Sequence, residues 1–334
     1  MRGEDRTREP AATIIVVSFN TLEMTRACLD SVFRETRRES VELIVVDNAS
    51  EDGSAEMIAA EFPQARLIRS TANLGFAAAN NHAADLARGQ YLLLLNPDTV
   101  ILDGAIDRLI AFARSAPRAG IWGGRTLFAD GRLNPSSAWR DMSLWSLFCR
   151  SAGLSQAFRG NPVLDPEAYG GWARDSEREV DVVTGCFLLI ETAFWRELGG
   201  FDERFVMYGE DADLCMRARS RGAAPRITPD AVIIHHGGAS ERVRAAKIIR
   251  LFRAKIALME KHWARPRLAI GRLLFLAWVG SRAGAARILS RAGSTGESLA
   301  PWIDVWARRD EWLHGYPGAA APRGERRSDA LPHR

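Results

Sequence analysis

Asp98 follows directly on Tyr91-Leu92-Leu93-Leu94-Leu95-Asn96-Pro97. A run of five nearly apolar residues suits an interior strand covered on both faces, and Asn96-Pro97 stops it. A carboxylate at the C-terminal end of such a strand lies where open α/β sheets place their ligands. It can hold a divalent cation against a phosphate, or it can simply be a turn residue leading into the next helix through Thr99 or Asp103. Asp47 ends a second apolar run, Val41 to Val46, and can accept a hydrogen bond from a pyrimidine ring N–H. Ser18 and Asn20 end a third, Thr13 to Val17. Asp, Asn and Ser are also common turn formers, so the repetition at several strand ends is what favours a binding rim. Further on, Gly209 marks a turn before Glu210-Asp211, which opens a helix to about Arg221. A carboxylate there can cap the helix or serve as a general base. Asp213 and Arg217 stand four apart and can pair along the helix, which leaves Asp211 the freer group. His235 ends a last apolar run, Ala231 to Ile234, before Gly237-Gly238. It can ligate a metal or be structural, and its neighbour His236 must point the other way on a strand.

Alternating strand and helix patterns position these residues. Strands are expected at Thr13–Asn20, Val41–Val46, Ala65–Arg69 and Tyr91–Leu95. Helices are expected at Thr25–Thr36, Ala55–Glu61, Ala77–Arg88 and Ala105–Ser115. That alternation argues for a parallel α/β sheet, with the polar strand ends gathered on one rim. Gly120–Gly124 reads as a strand and turn, and Val180 to Ile190 as strand-like around Gly185, a small residue that permits close approach of a ligand. Arg132 to Gly171 loses periodicity while holding Trp139, Trp145, Phe148 and Phe158. A long irregular insertion of this kind is often a lid or partner-binding loop, or a peripheral apolar patch. No GxGxxG and no GxxxxGK[ST] occurs, which disfavours a dinucleotide fold and a P-loop NTPase.

Composition bounds the rest. The chain is 47% hydrophobic and 26% charged, with a formal charge of +4. Residues 1–240 hold 26 basic and 33 acidic side chains, and residues 241–334 hold 19 and 8, giving −7 and +11. The basic part suggests a polyanionic surface, nucleic acid or anionic lipid. Cys28, Cys149, Cys186 and Cys215 are widely spaced without CxxC, so they read as reduced and mostly buried in a cytosolic protein. Met1 to Pro10 is charged and unlike a signal peptide. The longest apolar segment, Leu273 to Gly280, looks too short to span a bilayer.

Val16-Val17-Ser18-Phe19-Asn20, Val45-Val46-Asp47-Asn48-Ala49-Ser50, Asn73 to Asn81, Leu95-Asn96-Pro97-Asp98, Phe201 to Arg217 and His235-His236-Gly237-Gly238-Ala239-Ser240 occur in that order. Together they resemble family 2 glycosyltransferases of the GT-A fold, and within them the rhamnosyltransferase-like branch that acts on cell-wall or O-antigen glycans. The resemblance covers roughly residues 11 to 265. It implies a Rossmann-like, mostly parallel central sheet with flanking helices, plus a C-terminal helical extension. It also implies inverting, metal-dependent transfer from a nucleotide-diphospho-sugar to a glycan or polyprenyl-diphosphate-linked acceptor. By match to the family's motifs, Asp47 reads the base, Ser18 and Asn20 lie near ribose or base, and Asn73 lies in the stretch packing on the nucleotide. Asp98 matches the last residue of the DxD motif that binds Mg²⁺ or Mn²⁺, with Asn96 in place of its first Asp. His235 completes the metal site and Asp211 is the acceptor-activating base. Cys186, where Ala is commoner, and Glu191, at an often basic position, depart from the pattern. The first donor suggested is dTDP-rhamnose, with UDP-hexose or UDP-galactofuranose as alternatives.

The expected organisation is a disordered lead-in at 1–10, a catalytic domain at 11–240, a basic helical extension at 241–315 and a disordered tail at 316–334. The catalytic domain divides into a nucleotide-binding half, 11–130, and an acceptor-binding half, 131–240. In the extension, Glu241 to Trp263 carries an apolar stripe, with Arg244, Lys247, Arg250, Arg253 and Lys255 over the remaining surface, and Pro266 breaks the chain. Five of ten tryptophans fall after residue 240. Apolar surface with Trp and Arg fits an interfacial helix on anionic lipid; helices packed on the catalytic domain fit as well. With a lipid-linked acceptor, no nucleic-acid partner is expected, and the location is cytoplasmic or peripheral on the inner face of the plasma membrane. Two other readings compete. A sugar-nucleotide nucleotidyltransferase wants a Gly-rich basic loop that residues 13–25 lack. A non-catalytic binding module gives no reason for Asp98, Asp211 and His235 at three element junctions.

Overall fold

The computed structural model describes residues 9–237, 244–291 and 300–316. Strands β1 (Ala12–Ser18), β2 (Val41–Asp47), β3 (Arg66–Arg69) and β4 (Tyr91–Leu95) alternate with helices α1 (Leu22–Glu35), α2 (Ser54–Glu61) and α3 (Gly75–Asp85). β5 (Thr99–Ile101), α4 (Ala105–Ser115) and β6 (Ile121–Leu127) follow. The insertion holds β7 (Ala138–Trp139), α5 (Leu144–Ser151), α6 (Leu154–Ala157), β8 (Arg178–Glu179) and β9 (Val182–Val183). Then come β10 (Phe187–Glu191), α7 (Thr192–Leu198), α8 (Glu210–Ser220) and β11 (Arg226–His235). Helices α9 (Arg244–His262), α10 (Arg265–Arg291) and α11 (Ala300–Ala307) form the C-terminal part.

The main sheet runs β3-β2-β1-β4-β10-β6-β11-β5, with β8 paired to β11. β3, β2, β1 and β4 are mutually parallel. β10 enters between β4 and β6 antiparallel to both, and β5 pairs antiparallel with β11, so the second half is mixed rather than parallel. An apolar run marks a buried strand whichever way it points, which is why direction was invisible in the pattern.

Every residue of β1 and β4 is buried. Ile14 and Val16 point into a core shared with Leu29 of α1, Ile58 of α2 and Leu109 of α4. Ile15 and Val17 point into a second core with Ala79 of α3, Trp195 of α7 and Leu214 of α8. Helices thus cover both faces, and the strands need no polar side. The insertion is folded around Arg174, which is 2% exposed and donates to four backbone carbonyls, those of Trp172, Pro135, Ala138 and Ala168.

The C-terminal helices pack on the catalytic body and on one another. Phe252 of α9 lies 5.3 Å from Phe275 and 4.9 Å from Trp278 of α10, and 5.6 Å from Trp312. Trp312 is fully buried, and Trp263 and Trp278 are nearly so. These three tryptophans therefore build an inner core, as the packed alternative of the two expected readings has it. Lys255 is likewise drawn inside, to Glu167 at 2.9 Å, because the buried carboxylate needs a counter-charge. The expected break at Pro266 falls between α9, which ends at His262, and α10, which begins at Arg265. Pro266 stands in the first turn of α10, where its missing N–H has no partner to lose. By length and composition α10 is apolar enough to cross a membrane, since Leu268–Gly271 and Ala283–Ala286 lengthen the apolar stretch on either side of Leu273–Gly280 across Arg272 and Arg282. Tyr316, expected in the tail, instead packs against Phe205. Residues 1–8, 238–243 and 317–334, with Gly238-Ala239-Ser240 and the expected tail, lie outside the described residues.

Candidate active site

Ser18 and Asp47 are partners in the β1–β2 ladder, so both strands end side by side. Asp47 is 3% exposed. Its Oδ2 accepts the Ser50 N–H at 3.2 Å, while Oδ1 is buried without a partner among the described residues. Leaving a buried acceptor unpaired costs roughly 1–3 kcal/mol, so Oδ1 stands open to a donor. Ser18 is fully buried and its hydroxyl meets Thr25 Oγ1 at 2.9 Å, which places it beneath the rim. Asn20 is exposed and accepts the Glu51 N–H at 2.8 Å. Asn20 and Ala49 both adopt positive φ, 52° and 65°. Such left-handed residues cost about 1–2 kcal/mol each and cluster where function demands a shape.

Asn73 is exposed, and its Oδ1 accepts from Asn48 Nδ2 and the Gly75 N–H, each at 2.9 Å. Asn48 in turn accepts the Leu74 N–H at 2.9 Å. This buried residue pins the loop before α3 to the rim. Gly75 is required there: φ is +78°, and a Cβ would come within 2.8 Å of the Val206 carbonyl. The loop thereby also touches the segment leading to Asp211. Asn81 performs a related task, bonding both the N–H and the carbonyl of Phe201.

Asp98 and His235 meet because β5 pairs with β11. Asp98 Oδ1 lies 3.3 Å from His235 Nε2, and Asp98 Oδ2 accepts the Gly237 N–H at 3.0 Å. Burial pushes the Asp98 carboxyl up, but the hydrogen bond and charge of His235, with the backbone N–H groups of Asp98 and Gly237, together outweigh it and the net direction is down. Burial opposes charge on His235, yet the Cys186 sulfur and the Asp98 carboxylate raise it to about 10. Adjacent ligands on an octahedral cation with bonds of about 2.1 Å stand about 3 Å apart. The spacing of the pair therefore fits two neighbouring positions of one ion, which would take His235 as neutral imidazole in exchange for its proton. Among the described residues no group of three or more His, Cys, Asp or Glu could hold a metal ion.

Asp211 opens α8 and is partly exposed. Its Oδ2 accepts the Gly185 N–H at 3.1 Å and its Oδ1 the Ala212 N–H at 2.7 Å. Burial raises its carboxyl against those two donors. Gly185 has close neighbours within the fold: a Cβ would meet the Phe76 ring at 3.3 Å, so the close approach is internal. The next residue, Cys186, accepts the Asn96 N–H at 3.2 Å through its carbonyl. One turn thus ties the Asp98 strand end to Asp211. Asp213 is fully buried and paired with Arg217 at 2.7 Å, Lys261 at 2.7 Å and His262 at 2.8 Å, which closes it to chemistry and locks α9 onto α8.

Glu210 carried no signal of its own beyond its place at a helix start. Its side chain is buried, Oε2 has no partner among the described residues, and burial with the neighbouring Asp211 charge raises its carboxyl far above the usual range. Tyr208, two residues earlier, adopts a positive φ of 69°. The strain and the unpaired acid sit together at the approach to Asp211.

The Glycosyl transferase family 2 model matches residues 13–180, half of the chain. The chain is 31% identical over 235 residues to an N-acetylglucosaminyl-diphospho-decaprenol L-rhamnosyltransferase of Mycobacterium tuberculosis, covering 67% of this chain and 75% of that protein. It is 29% identical over 245 residues to the O-antigen biosynthesis protein RfbC of Myxococcus xanthus, which spans 71% of this chain but 18% of RfbC. In fold it is similar to the mannosyltransferase PcManGT of Pyrobaculum calidifontis, solved with GDP-Man and Mn²⁺, with TM-score 0.56, 17% identity and coverage of 91% and 86%. It is also similar to GalNAc-T7, solved with UDP, GalNAc and Mn²⁺, with TM-score 0.55, 15% identity and coverage of 91% and 55%. The rim of polar strand ends therefore sits on a GT-A fold, and the chain belongs to glycosyltransferase family 2, where its sequence is rhamnosyltransferase-like.

Proposed function

We propose that the chain moves a sugar from a nucleotide-diphospho-sugar to an acceptor hydroxyl with inversion at the anomeric carbon. One observation supports this above the rest. The turn at Gly185-Cys186 bonds two adjacent backbone groups to the two parts of the site: the Cys186 carbonyl to the N–H of Asn96, two residues before the cation-type pair of Asp98 and His235, and the Gly185 N–H to Asp211, a carboxylate of raised proton affinity. In the proposed mechanism Asp47 accepts the ring N–H of a pyrimidine base at its unpaired Oδ1. Asn48 and Asn73 shape the loop beside it, and Asn20 closes the rim. Asp98 and His235 would hold Mg²⁺ or Mn²⁺, which when bound neutralises charge on the diphosphate. Asp211 takes the proton from the acceptor hydroxyl. The oxygen bonds to the anomeric carbon on the face opposite the diphosphate, and the bond from that carbon to the diphosphate oxygen breaks. The nucleoside diphosphate leaves with the bonding pair.

Residues 11–130 would then bind the nucleotide, residues 131–240 the acceptor, and residues 241–315 brace the catalytic body. The relative from Mycobacterium tuberculosis is named for L-rhamnose and a polyprenyl-diphosphate-linked acceptor. We carry both over as the first choice: dTDP-rhamnose as donor and a glycan on a polyprenyl diphosphate as acceptor, in cell-wall or surface-polysaccharide synthesis. Four free and buried cysteines agree with a cytoplasmic site of action. The test is nucleoside diphosphate release from dTDP-rhamnose, UDP-hexoses and UDP-galactofuranose, with and without Mn²⁺. The anomeric configuration of the product is read by NMR. Release from dTDP-rhamnose that needs Mn²⁺ supports the reading. A retained configuration, or no release from any donor, sinks it.

A further inference from the structure

α10 is 27 residues long and contains no acidic residue. One side of it is inside: Phe275, Val279 and Ala283 are fully buried. The other side carries Ile270, Leu273, Ala277 and Ile288, all exposed. Leu273 is 65% and Ile288 68% exposed. Spacings of three, four and eleven keep them on one stripe, about 27 Å long at 1.5 Å per residue. Ser281 lies on its margin and turns its hydroxyl back to the Trp278 carbonyl at 3.0 Å, so it offers solvent no donor. Only 28% of the most apolar stretch of α10 is buried. Beside it α5 exposes a stacked pair, Trp145 at 47% and Phe148 at 44%. The two helices are joined at both ends of α5, by Arg267 to the Met142 carbonyl and by Arg282 to the Arg150 carbonyl.

Charge frames the stripe. Arg265 and Arg267 are exposed at its start and Arg287 at its end. Among the described residues Arg265 and Arg287 have no ion-pair partner. Arg272 and Arg282, by contrast, are used internally, by Glu260 and by the Trp278 and Trp302 rings. An uncharged apolar stripe with cations at its ends complements a surface that is apolar inside and anionic at its rim. A second copy would set arginines against arginines in an antiparallel pair. A span across the bilayer would require pulling Phe275 and Val279 out of the core.

We infer that the outer face of α10, with Trp145 and Phe148 of α5, docks in the plane of an anionic lipid bilayer. This inference is independent of the donor and acceptor proposed above. It also differs from a tryptophan-led interface, since the C-terminal tryptophans are occupied inside.

The test is co-sedimentation of the full chain with vesicles of phosphatidylcholine alone and of phosphatidylcholine mixed equally with phosphatidylglycerol. Wild-type protein should partition to the mixed vesicles and much less to phosphatidylcholine. The double variant Ile270→Glu, Leu273→Glu should lower that partitioning by about tenfold or more, since binding scales with buried apolar area. Ile288→Glu, at the far end of the stripe, should act in the same direction. Arg265→Gln with Arg287→Gln should abolish the preference for phosphatidylglycerol. Nucleoside diphosphate release in solution should be unchanged in every variant, which shows them folded and separates this inference from the proposed function. Equal partitioning of wild type and the glutamate variants overturns the inference, as does no partitioning at all. A concentration-dependent dimer dissolved by Leu273→Glu overturns it in favour of a second copy.

Discussion

Asp98 Oδ1 and His235 Nε2 lie 3.3 Å apart, and the two residues are 137 positions distant in the chain. The antiparallel β5–β11 ladder brings them together, and the Gly237 N–H fixes the second carboxylate oxygen. Asp98 is the sole carboxylate of its Asn-Pro-Asp turn, so it must supply the chain's negative charge to any cation held there. Asp98→Ala should weaken Mn²⁺ binding more than His235→Ala. Partners behind a metal ligand are already worth about 10–100-fold in affinity, so loss of a donor itself should cost at least that. Mn²⁺ titration, with and without nucleoside diphosphate, measures both variants.

Asp211 should carry the chemistry without carrying donor affinity. General-base assistance is worth about 10²–10⁴ in rate, so Asp211→Asn should cut kcat by that order while the donor dissociation constant stays within about twofold of the wild type. Burial raises its carboxyl, and the base must be ionised to accept a proton. Activity should therefore rise with pH through a value above that of an ordinary aspartate. A kcat/KM profile in which Asp211→Asn keeps the same acid limb would assign that limb to another group.

Asp47 should discriminate by the ring N–H. Its buried, unpaired Oδ1 can take one hydrogen bond from a thymine or uracil N3–H. A bond to a charged acceptor is worth roughly 1.5–3 kcal/mol, or about 10- to 150-fold in affinity. N3-methyl thymidine diphosphate should bind wild type more weakly than the parent nucleotide by that factor. Asp47→Ala should bind both alike, and isothermal titration reads the difference.

These residues were legible because each ends an apolar run with a breaker: Asp47 after Val46, Asp98 after Asn96-Pro97, His235 before Gly237. Their chemistry follows from that position, and position follows from an apolar run that local sequence carries. The Gly185-Cys186 turn was not legible as a tie between Asn96 and Asp211, because nothing local reports which backbone group a distant carboxylate will meet. Asn48 and Asn81 looked like motif letters. Only the packed structure shows them clamping the Leu74 and Phe201 loops. The tryptophans after residue 240 left two readings open for a related reason. Trp beside Arg reads alike at a lipid surface and in an inner core where guanidinium groups stack on indoles, as Arg282 does on Trp278 at 5.4 Å.

Glu167 gives a pH dependence of stability with a definite sign. It is 4% exposed, held by Lys255 at 2.9 Å, Arg150 at 3.0 Å and Ser146 at 2.8 Å, and although burial works against its charge, these partners lower its carboxyl to about 2. A depressed acid stabilises the fold above its unfolded value and loses that contribution as pH falls toward the folded value. The window here runs from the ordinary glutamate range down to about 2. Burial pushes Lys255 down as well, so the pair gains less than the Glu167 shift alone implies. Glu167→Gln should lower Tm at neutral pH and flatten its fall below pH ~4.5.

Glu210 should show the opposite sign. Its side chain is buried beside Asp211, Oε2 has no partner among the described residues, and its carboxyl is raised well above the usual range. In the unfolded chain the same group ionises near ~4.3. Between those two values the folded state binds the extra proton, so stability falls as pH rises. Glu210→Gln replaces a neutral acid by a neutral amide of the same shape and removes the cost of keeping the proton. Tm at neutral pH should rise, and the decline of Tm with pH above the ordinary glutamate range should shrink. Transfer by Glu210→Gln should persist, because the group works uncharged, whereas Glu210→Ala leaves a cavity behind Asp211 and should lower kcat. A Glu210→Gln protein that melts at lower temperature than wild type at neutral pH would show the carboxylate to be ionised and paired, and would reverse the assignment.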